Sequence, residues 1–258
     1  MSLTDIITSK GYSIYEEKLE KEVISGPMPN HIAIIMDGNR RYAREEGKDV
    51  KEGHLAGKEK IREVMDWCLK LGIHNLTVYA FSTENFNRAE DEVDFLLDLI
   101  ESSLSEMAHD KNIHENQVRL RVIGERDLIP ESMRATRHEA EDLTTDYDKN
   151  FFNMAVAYGG RQEIVSAIKE IAQKVQDGDL KVDDITEELV SDYLYTSDLP
   201  DPDLILRTSG ELRLSNFLLW QLAYSELYFT DVYWPSFRYI DLLRAIRSYQ
   251  QRARRYGK

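Results

Sequence analysis

Cysteine is nearly absent from this chain: Cys68 is the only one in 258 residues. No intramolecular disulfide and no cysteine-built zinc site can therefore form. Positive charge is also scarce, with 33 Lys+Arg against 47 Asp+Glu and a net charge of −14. That balance argues against general affinity for nucleic acid or anionic lipid surfaces. Long apolar runs are missing too; nothing approaches the ~18 residues of a membrane span. The polar N-terminus does not resemble a signal peptide, so a cytoplasmic protein is expected. There is no G-x-G-x-x-G and no G-x-S-x-G, which weakens nucleotide-cofactor and serine-hydrolase readings. Gly53-His-Leu-Ala-Gly57-Lys58-Glu59 is one residue short of a Walker loop and lacks its Ser/Thr. The run Asp183-Asp184-Ile-Thr-Glu187 lies in an acidic stretch that reads as surface. Internal repeats and low-complexity segments are absent.

What is present is an alternation of short apolar runs with longer amphipathic segments. Residues 1–29 read as an added arm, with a helix from Tyr12 to Ile24 that Gly26-Pro-Met-Pro29 ends. Strands are expected at 31–36, 75–81, 118–123, 151–157, 203–207 and 226–230. Helices are expected at about 54–71, 91–108, 131–145, 161–176, 211–224 and 239–254. This order predicts βαβ units in an α/β fold: one domain over residues 30–258, with a mainly parallel six-stranded sheet and helices on both faces. Apolar faces on 91–107 and 217–224 exceed what a helix needs to cover a sheet edge. They read either as core or as the wall of an apolar tunnel opening at the C-terminal edge of the strands.

That edge carries the chemistry. His31-Ile-Ala-Ile-Ile-Met36 ends in Asp37, followed by Gly38, Asn39, Arg40 and Arg41. A carboxylate at the exit of a buried strand is a hard ligand for Mg²⁺, which bridges carboxylates to substrate phosphates. The two guanidiniums suit bidentate recognition of phosphate. The exit at Ser82-Thr83-Glu84-Asn85-Phe86-Asn87-Arg88 offers hydroxyl, carboxylate, amide, aromatic and guanidinium groups, without the Gly or Pro of a plain turn. A third exit runs from Arg207 to Asn216, with Arg213 and Ser215; next to the helix expected at 211–224 it reads as an anion cradle. A fourth is Tyr158-Gly-Gly-Arg161.

The segments HIAIIMDGNRRYA, GHLAGKEKI, LTVYAFSTENFNR, VRLRVIGE, NMAVAYGGRQEIV and DLILRTSGELRLSNFLLWQLAYSELYFTDVYWP resemble the cis-prenyltransferases, in family order, over roughly residues 30–257. The arm ending in Gly26-Pro-Met-Pro-Asn-His31 is similar to archaeal and eukaryotic members. The resemblance implies a transferase that condenses isopentenyl diphosphate onto an allylic diphosphate, farnesyl or geranylgeranyl, with cis double bonds, giving a polyprenyl diphosphate. It implies Mg²⁺ as cofactor on Asp37, with Glu226 as a second carboxylate acting across the interface of a homodimer. Gly38, Asn39, Arg40 and Arg41 would cradle the allylic diphosphate, with Tyr42 and His54 nearby. Arg207, Arg213 and Ser215 would hold isopentenyl diphosphate. Ser82, Thr83, Glu84, Asn85, Phe86 and Arg88 would orient the reacting carbons, and Asn85 is the family's participant in proton removal. An amide is a poor base, so a diphosphate oxygen competes for that role.

Two positions depart from bacterial members, which often carry Arg in place of Val50 and His in place of Leu212. A phosphate contact would then pass to Lys48 or Lys51, or be lost, and the metal would keep more waters. Phe151 and Phe152 fall where the family narrows its tunnel. Membrane contact is expected to be transient and peripheral, for product release, with no nucleic acid partner. The competing readings are a silent subunit of the same fold and a phosphatase or nucleotide-binding enzyme. The first should have lost Asp37, Arg41, Asn85, Arg207, Arg213 and Glu226, all of which are present.

Overall fold

The computed structural model describes the backbone of residues 3–253 and the side chains of residues 14–252. Residues 1–2 of the expected arm and 254–258, including the end set for the last helix, lie outside the described residues. Six strands form one parallel sheet: β1 His31–Ile35, β2 Asn75–Ser82, β3 Val118–Ile123, β4 Asn150–Tyr158, β5 Leu204–Arg207 and β6 Glu226–Phe229. Their spatial order is β3-β4-β2-β1-β5-β6, with every neighbouring pair parallel. The helices are α1 Leu3–Ile24, α2 Asn39–Glu45, α3 Val50–Leu71, α4 Glu90–Ala108, α5 Lys111–Glu115, α6 Glu131–Leu143, α7 Gly160–Asp177, α8 Glu187–Asp192 and α9 Tyr239–Ala253. The expected α/β class and six-stranded parallel sheet are found.

β1 is central, and all five of its residues are buried. Its side chains alternate between faces. Ile32 and Ile34 enter the larger core with residues of α3, α4, α6 and α9, whereas Ala33 and Ile35 join a smaller core with Tyr158, Phe217 and Leu218. A strand buried on both faces cannot show polar alternation, which is why His31–Met36 reads as one apolar run. α3 starts sharply because Asp49 and Glu52 form a reciprocal capping box. It ends at Gly72, whose φ of +71° suits glycine. The arm does not stand apart: Leu19 and Val23 of α1 belong to the larger core. The Gln250 amide of α9 donates to the carbonyls of Val23 and Pro27, fixing where α1 ends.

One expected element is absent. The helix set at 211–224 is an irregular loop closed by a single 3-10 turn at Gln221–Tyr224. Its backbone is bent by positive φ at Ser215, Asn216 and Leu218. Tertiary bonds override helical propensity here: Arg207 donates to the Arg213 carbonyl, Gly160 N–H donates to the Asn216 carbonyl, and Phe217 and Leu218 are fully buried. Phe217 and Leu218 are therefore core, whereas Leu219, Trp220 and Leu222 are half-buried and Tyr224 at the end of the segment is 99% exposed. α2 was not expected either; it starts directly after the Asp37 turn, with Gly38 as its N-cap.

Candidate active site

The C-terminal ends of β1, β2 and β5 open into a cavity of about 560 Å³. Asp37, Asn39, His54, Ser82, Glu84, Asn85, Arg88, Arg207, Arg213 and Ser215 line it, ten of the residues expected from sequence. Ligands in open α/β sheets bind at such strand exits.

Asp37 is fixed through its backbone before its carboxylate acts. Its N–H donates to Thr208 Oγ1 at 2.9 Å, and its carbonyl accepts from the same hydroxyl at 2.6 Å and from Trp234 N–H at 3.1 Å. Oδ2 accepts from Arg207 Nη2 at 2.7 Å, and Oδ1 lies 3.4 Å from Arg41 Nη2. Burial pushes the carboxyl up, but the hydrogen bond and charge of Arg207, with Arg41 and Ser209, hold it below its usual range. Gly38 follows with φ +108°, and a side chain there would strike the Tyr233 ring and Ser209. The turn therefore requires glycine.

Arg207 is almost completely buried; its Nη1 donates to Ser215 Oγ at 2.8 Å and to the Arg213 carbonyl, while its buried Nε has no partner. Arg41 donates to Ser209 O and Oγ and faces Glu211 at 3.3 Å. Arg213 is largely exposed and bonds Glu211 at 2.5 Å. The helix N-terminus expected there is absent, and the guanidiniums come instead from the end of β5 (Arg207), from α2 (Arg41) and from the loop (Arg213).

On the opposite wall, Asn85 Oδ1 accepts Ser82 N–H at 3.0 Å, which closes the turn at Thr83–Asn87. Thr83 donates to Glu84, and Glu84 accepts from Asn216 Nδ2 at 3.0 Å. Phe86 packs edge-on against Phe81, their ring centres 4.9 Å apart. The exit at Tyr158-Gly-Gly-Arg161 does not line the cavity; Gly160 and Arg161 N–H groups bond Asn216 from behind.

Sequence reasoning missed Glu92. Its carboxylate takes Arg88 Nη1 at 2.9 Å and lies 3.8 Å from Arg40 and 4.0 Å from His54 Nε2, so one acid on α4 gathers three expected site residues. Burial, with Arg88 and Arg40, lowers the His54 pKa to about 4 against the pull of Glu92, so the imidazole is neutral. The signal was available: Glu92 follows Arg88 by four residues at the start of a helix. Thr208, which pins the Asp37 backbone, was not singled out within the Arg207–Asn216 exit.

Seven expected residues do not line the cavity: Gly38, Arg40, Arg41, Thr83 and Phe86 adjoin residues that do, whereas Tyr42 and Glu226 are turned elsewhere. Tyr42 lies on α2 under the ammonium of Lys48, 5.4 Å from its ring centre. Glu226 begins β6 in register with Leu204, whereas Asp37 follows the opposite end of β1. The two carboxylates thus sit at opposite edges of the sheet, and Glu226 pairs with Arg252 at 3.0 Å. Within one chain they cannot share a metal ion. Lys51 lies over the Phe95 ring, so neither lysine beside Val50 points freely into the site. Leu212 is 78% exposed.

Behind His54 the cavity narrows into an apolar slot between α3 and α4, walled by Ile61, Leu96, Leu99, Ile100, Met154 and Trp234. The slot holds about 60 Å³, room for a few waters. Residues 91–107 therefore do wall a cleft. Phe152 is buried in the core, and neither it nor Phe151 lines the slot.

Among the described residues no group of three or more His, Cys, Asp or Glu side chains converges on a point. The donors near Asp37 nonetheless fit Mg²⁺, which takes few protein ligands and keeps waters. Asp37 is an ionised oxygen donor, and the buried Asn39 Oδ1 on the same cavity has no hydrogen-bond partner.

The family described as "Putative undecaprenyl diphosphate synthase" matches residues 35–257. The chain is 52% identical over 253 residues to a tritrans,polycis-undecaprenyl-diphosphate synthase (geranylgeranyl-diphosphate specific) of Pyrococcus abyssi, covering 98% of this chain and 96% of that protein. It is 50% identical to the Thermoplasma acidophilum enzyme of the same name over the full length of both. Among solved structures, lavandulyl diphosphate synthase from Lavandula x intermedia, in complex with dimethylallyl diphosphate, superposes with a TM-score of 0.81 at 41% identity, over 86% of this chain and 95% of that one. A probable undecaprenyl diphosphate synthase from Campylobacter jejuni gives 0.72 at 35% identity, over 90% and 100%. A charged strand-exit cavity opening into an apolar slot, on a sheet shared with these proteins, leaves one assignment: the chain belongs to the undecaprenyl diphosphate synthase family, the cis-prenyltransferases.

Proposed function

We propose that this chain condenses isopentenyl diphosphate units onto geranylgeranyl diphosphate, forming cis double bonds and releasing a polyprenyl diphosphate. The observation that carries the reading is the Asp37 carboxylate held between Arg41 and Arg207 at the mouth of the apolar slot. Charge at the mouth with hydrocarbon behind it matches a lipid diphosphate. The printed specificity of the archaeal relatives favours geranylgeranyl over farnesyl diphosphate as primer.

In the reaction the allylic C–O bond breaks as the isopentenyl double bond forms the new C–C bond, and the adjacent carbon loses a proton. Arg41 and Arg40 would steady the departing diphosphate, while Arg207, Arg213 and Ser215 would hold the other substrate. Fixing both diphosphates on one rigid edge removes much of the entropic barrier of a two-substrate step. Mg²⁺ bound by Asp37, with Asn39 beside it, would supply charge stabilisation for the leaving oxygens. Asn85 is better suited to shaping the turn than to accepting the proton, because Ser82 N–H already occupies its Oδ1. A diphosphate oxygen is the stronger base.

A homodimer completes the reading. β6 is the sheet's edge strand, and Glu226 opens it beside the exposed Tyr224; across a two-fold interface Glu226 would reach the partner's metal site. No helix among the described residues is long and apolar enough to cross a membrane. We place the protein in the cytoplasm, with peripheral membrane contact when product leaves.

The test is incubation with labelled isopentenyl diphosphate and either geranylgeranyl or farnesyl diphosphate, with and without Mg²⁺, followed by chromatography of the lipid extract. Label should enter the extract with Mg²⁺ and faster with geranylgeranyl diphosphate. Absence of label under every pairing would sink the reading.

A further inference from the structure

A second charged cavity, of about 310 Å³, lies at the opposite side of the sheet, where β3 forms the other edge. Four arginines line it. Arg119 and Arg121 project from the same face of β3, two residues apart. Arg126 comes from the turn after that strand, and Arg137 from α6. Three carboxylates face them: Glu141, Asp142 and Asp198.

The pairing within this cluster is incomplete. Arg121 Nη2 meets Asp198 at 2.6 Å, and Arg137 Nε meets Glu141 at 2.9 Å. Glu141 is further committed, because the same oxygen accepts the outward N–H of Val122 at 3.0 Å and so blunts the open edge of β3. Arg121 Nη1 is buried with no hydrogen-bond partner. The side chains of Arg119 and Arg126 have no hydrogen bond or ion pair among the described residues. Two guanidiniums and one buried donor are therefore left over, against Asp142 alone. In a chain with 47 acidic and 33 basic residues, such a surplus of unpaired arginine in one recess is the reverse of the overall balance.

We propose that this recess binds a phosphate group. Its volume is at the lower end for small-ligand pockets. Several planar guanidiniums converging on one recess provide the forked donors that phosphate oxygens accept. The buried Nη1 of Arg121 would gain the acceptor it lacks. The same chemistry serves a free phosphate or diphosphate and the headgroup of an anionic phospholipid. The recess shares no lining residue with the Asp37 cavity, and its test needs no turnover.

The full-length protein and its Arg119→Gln/Arg126→Gln variant are titrated calorimetrically with inorganic phosphate and with inorganic diphosphate. Both are also sedimented with phosphatidylcholine vesicles with and without phosphatidylglycerol. The wild type should bind one equivalent more of the free anion than the variant, or should bind the anionic vesicles roughly tenfold or more tightly. Loss confined to the calorimetric arm assigns a free phosphate; loss confined to the vesicle arm assigns a lipid headgroup. Arg119→Lys/Arg126→Lys keeps the charge but not the fork, and should weaken binding in the same arm if the glutamine variant melts too early to use. Variants that match the wild type in both arms would overturn the proposal.

Discussion

At Asp37 two requirements meet in one carboxylate: it must stay ionised as an oxygen donor, and it must neutralise the buried Arg207. Replacing it by alanine would leave Arg207 as an uncompensated buried charge, which costs several kcal/mol of stability. Asp37→Asn keeps an acceptor for Arg207 and removes only the charge. We expect this variant to melt below the wild type but above Asp37→Ala, because Arg207 keeps its acceptor and loses its counter-charge, and to lose at least ~10²-fold in kcat for label incorporation. Near-normal turnover would remove Asp37 from its role. Glu92 acts one step back, as the acid that gathers Arg40, Arg88 and His54. Its ion pairs are partly exposed, so Glu92→Gln should shift the melting temperature little. It should raise KM for the allylic diphosphate by roughly tenfold, because the arginines lose the anion that aims them. An unchanged KM would make Glu92 a bystander.

At the scale of elements, the closeness of α2 and α3 decides where the Asp37 turn sits. Gly53 and Gly57, four residues apart on α3, lie against Asn39 of α2, and a side chain at either would collide with it. The Gly53–Lys58 motif is no phosphate loop; its glycines let two helices touch. Gly57→Ala should gain a little helix propensity but lose more to overpacking, about 1–3 kcal/mol net of relaxation. Thermal melts read that loss, and the displaced Asn39 should lower kcat as well. A melt at or above the wild type would show that the helices can part at no cost. Period and punctuation in the sequence placed the six strands and most of the long helices within a few residues, but α1 begins at Leu3, nine residues before the Tyr12 expected. They failed at 211–224, where apolar spacing looks helical but the Arg207 guanidinium of β5 and the Gly160 N–H of α7 claim the backbone carbonyls.

For the molecule as a whole, two buried histidines link stability to pH. Burial lowers His31 to about 4, against the Pro200 carbonyl and Asp203, and lowers His54 to about 4. Unfolded, each would titrate near 6.5. Between those values the unfolded chain binds more protons than the folded one, so stability should fall as pH drops from about 6.5 towards 4. Urea unfolding at stepped pH should show a slope approaching two protons, and His54→Gln should remove nearly one of them. A flat profile across that window would contradict the buried neutral imidazoles. The proposed homodimer makes a second whole-molecule prediction. Asp37→Asn and Glu226→Gln should each be inactive alone. Mixed and allowed to exchange subunits, they should regain activity, since one site of each heterodimer then has both carboxylates. No recovery despite proven exchange would place Glu226 outside the site.

Local patterns in the chain were enough for the fold class, the strand exits that carry charge and nine of the residues around the cavity, since these follow from buried runs, turn residues and the side chains next to them; His54, on α3, came only with the family resemblance. Only the tertiary structure decided which exits meet. It joined β1, β2 and β5 through Thr208, Glu92 and Asn216, left the Tyr158 exit as a support, and set Glu226 at the far edge from Asp37. Those outcomes depend on strand order and on contacts between residues distant in the chain, which no local period encodes. The unpaired arginines beside β3 belong to the same class, since an arginine is unpaired only in the company that folding gives it.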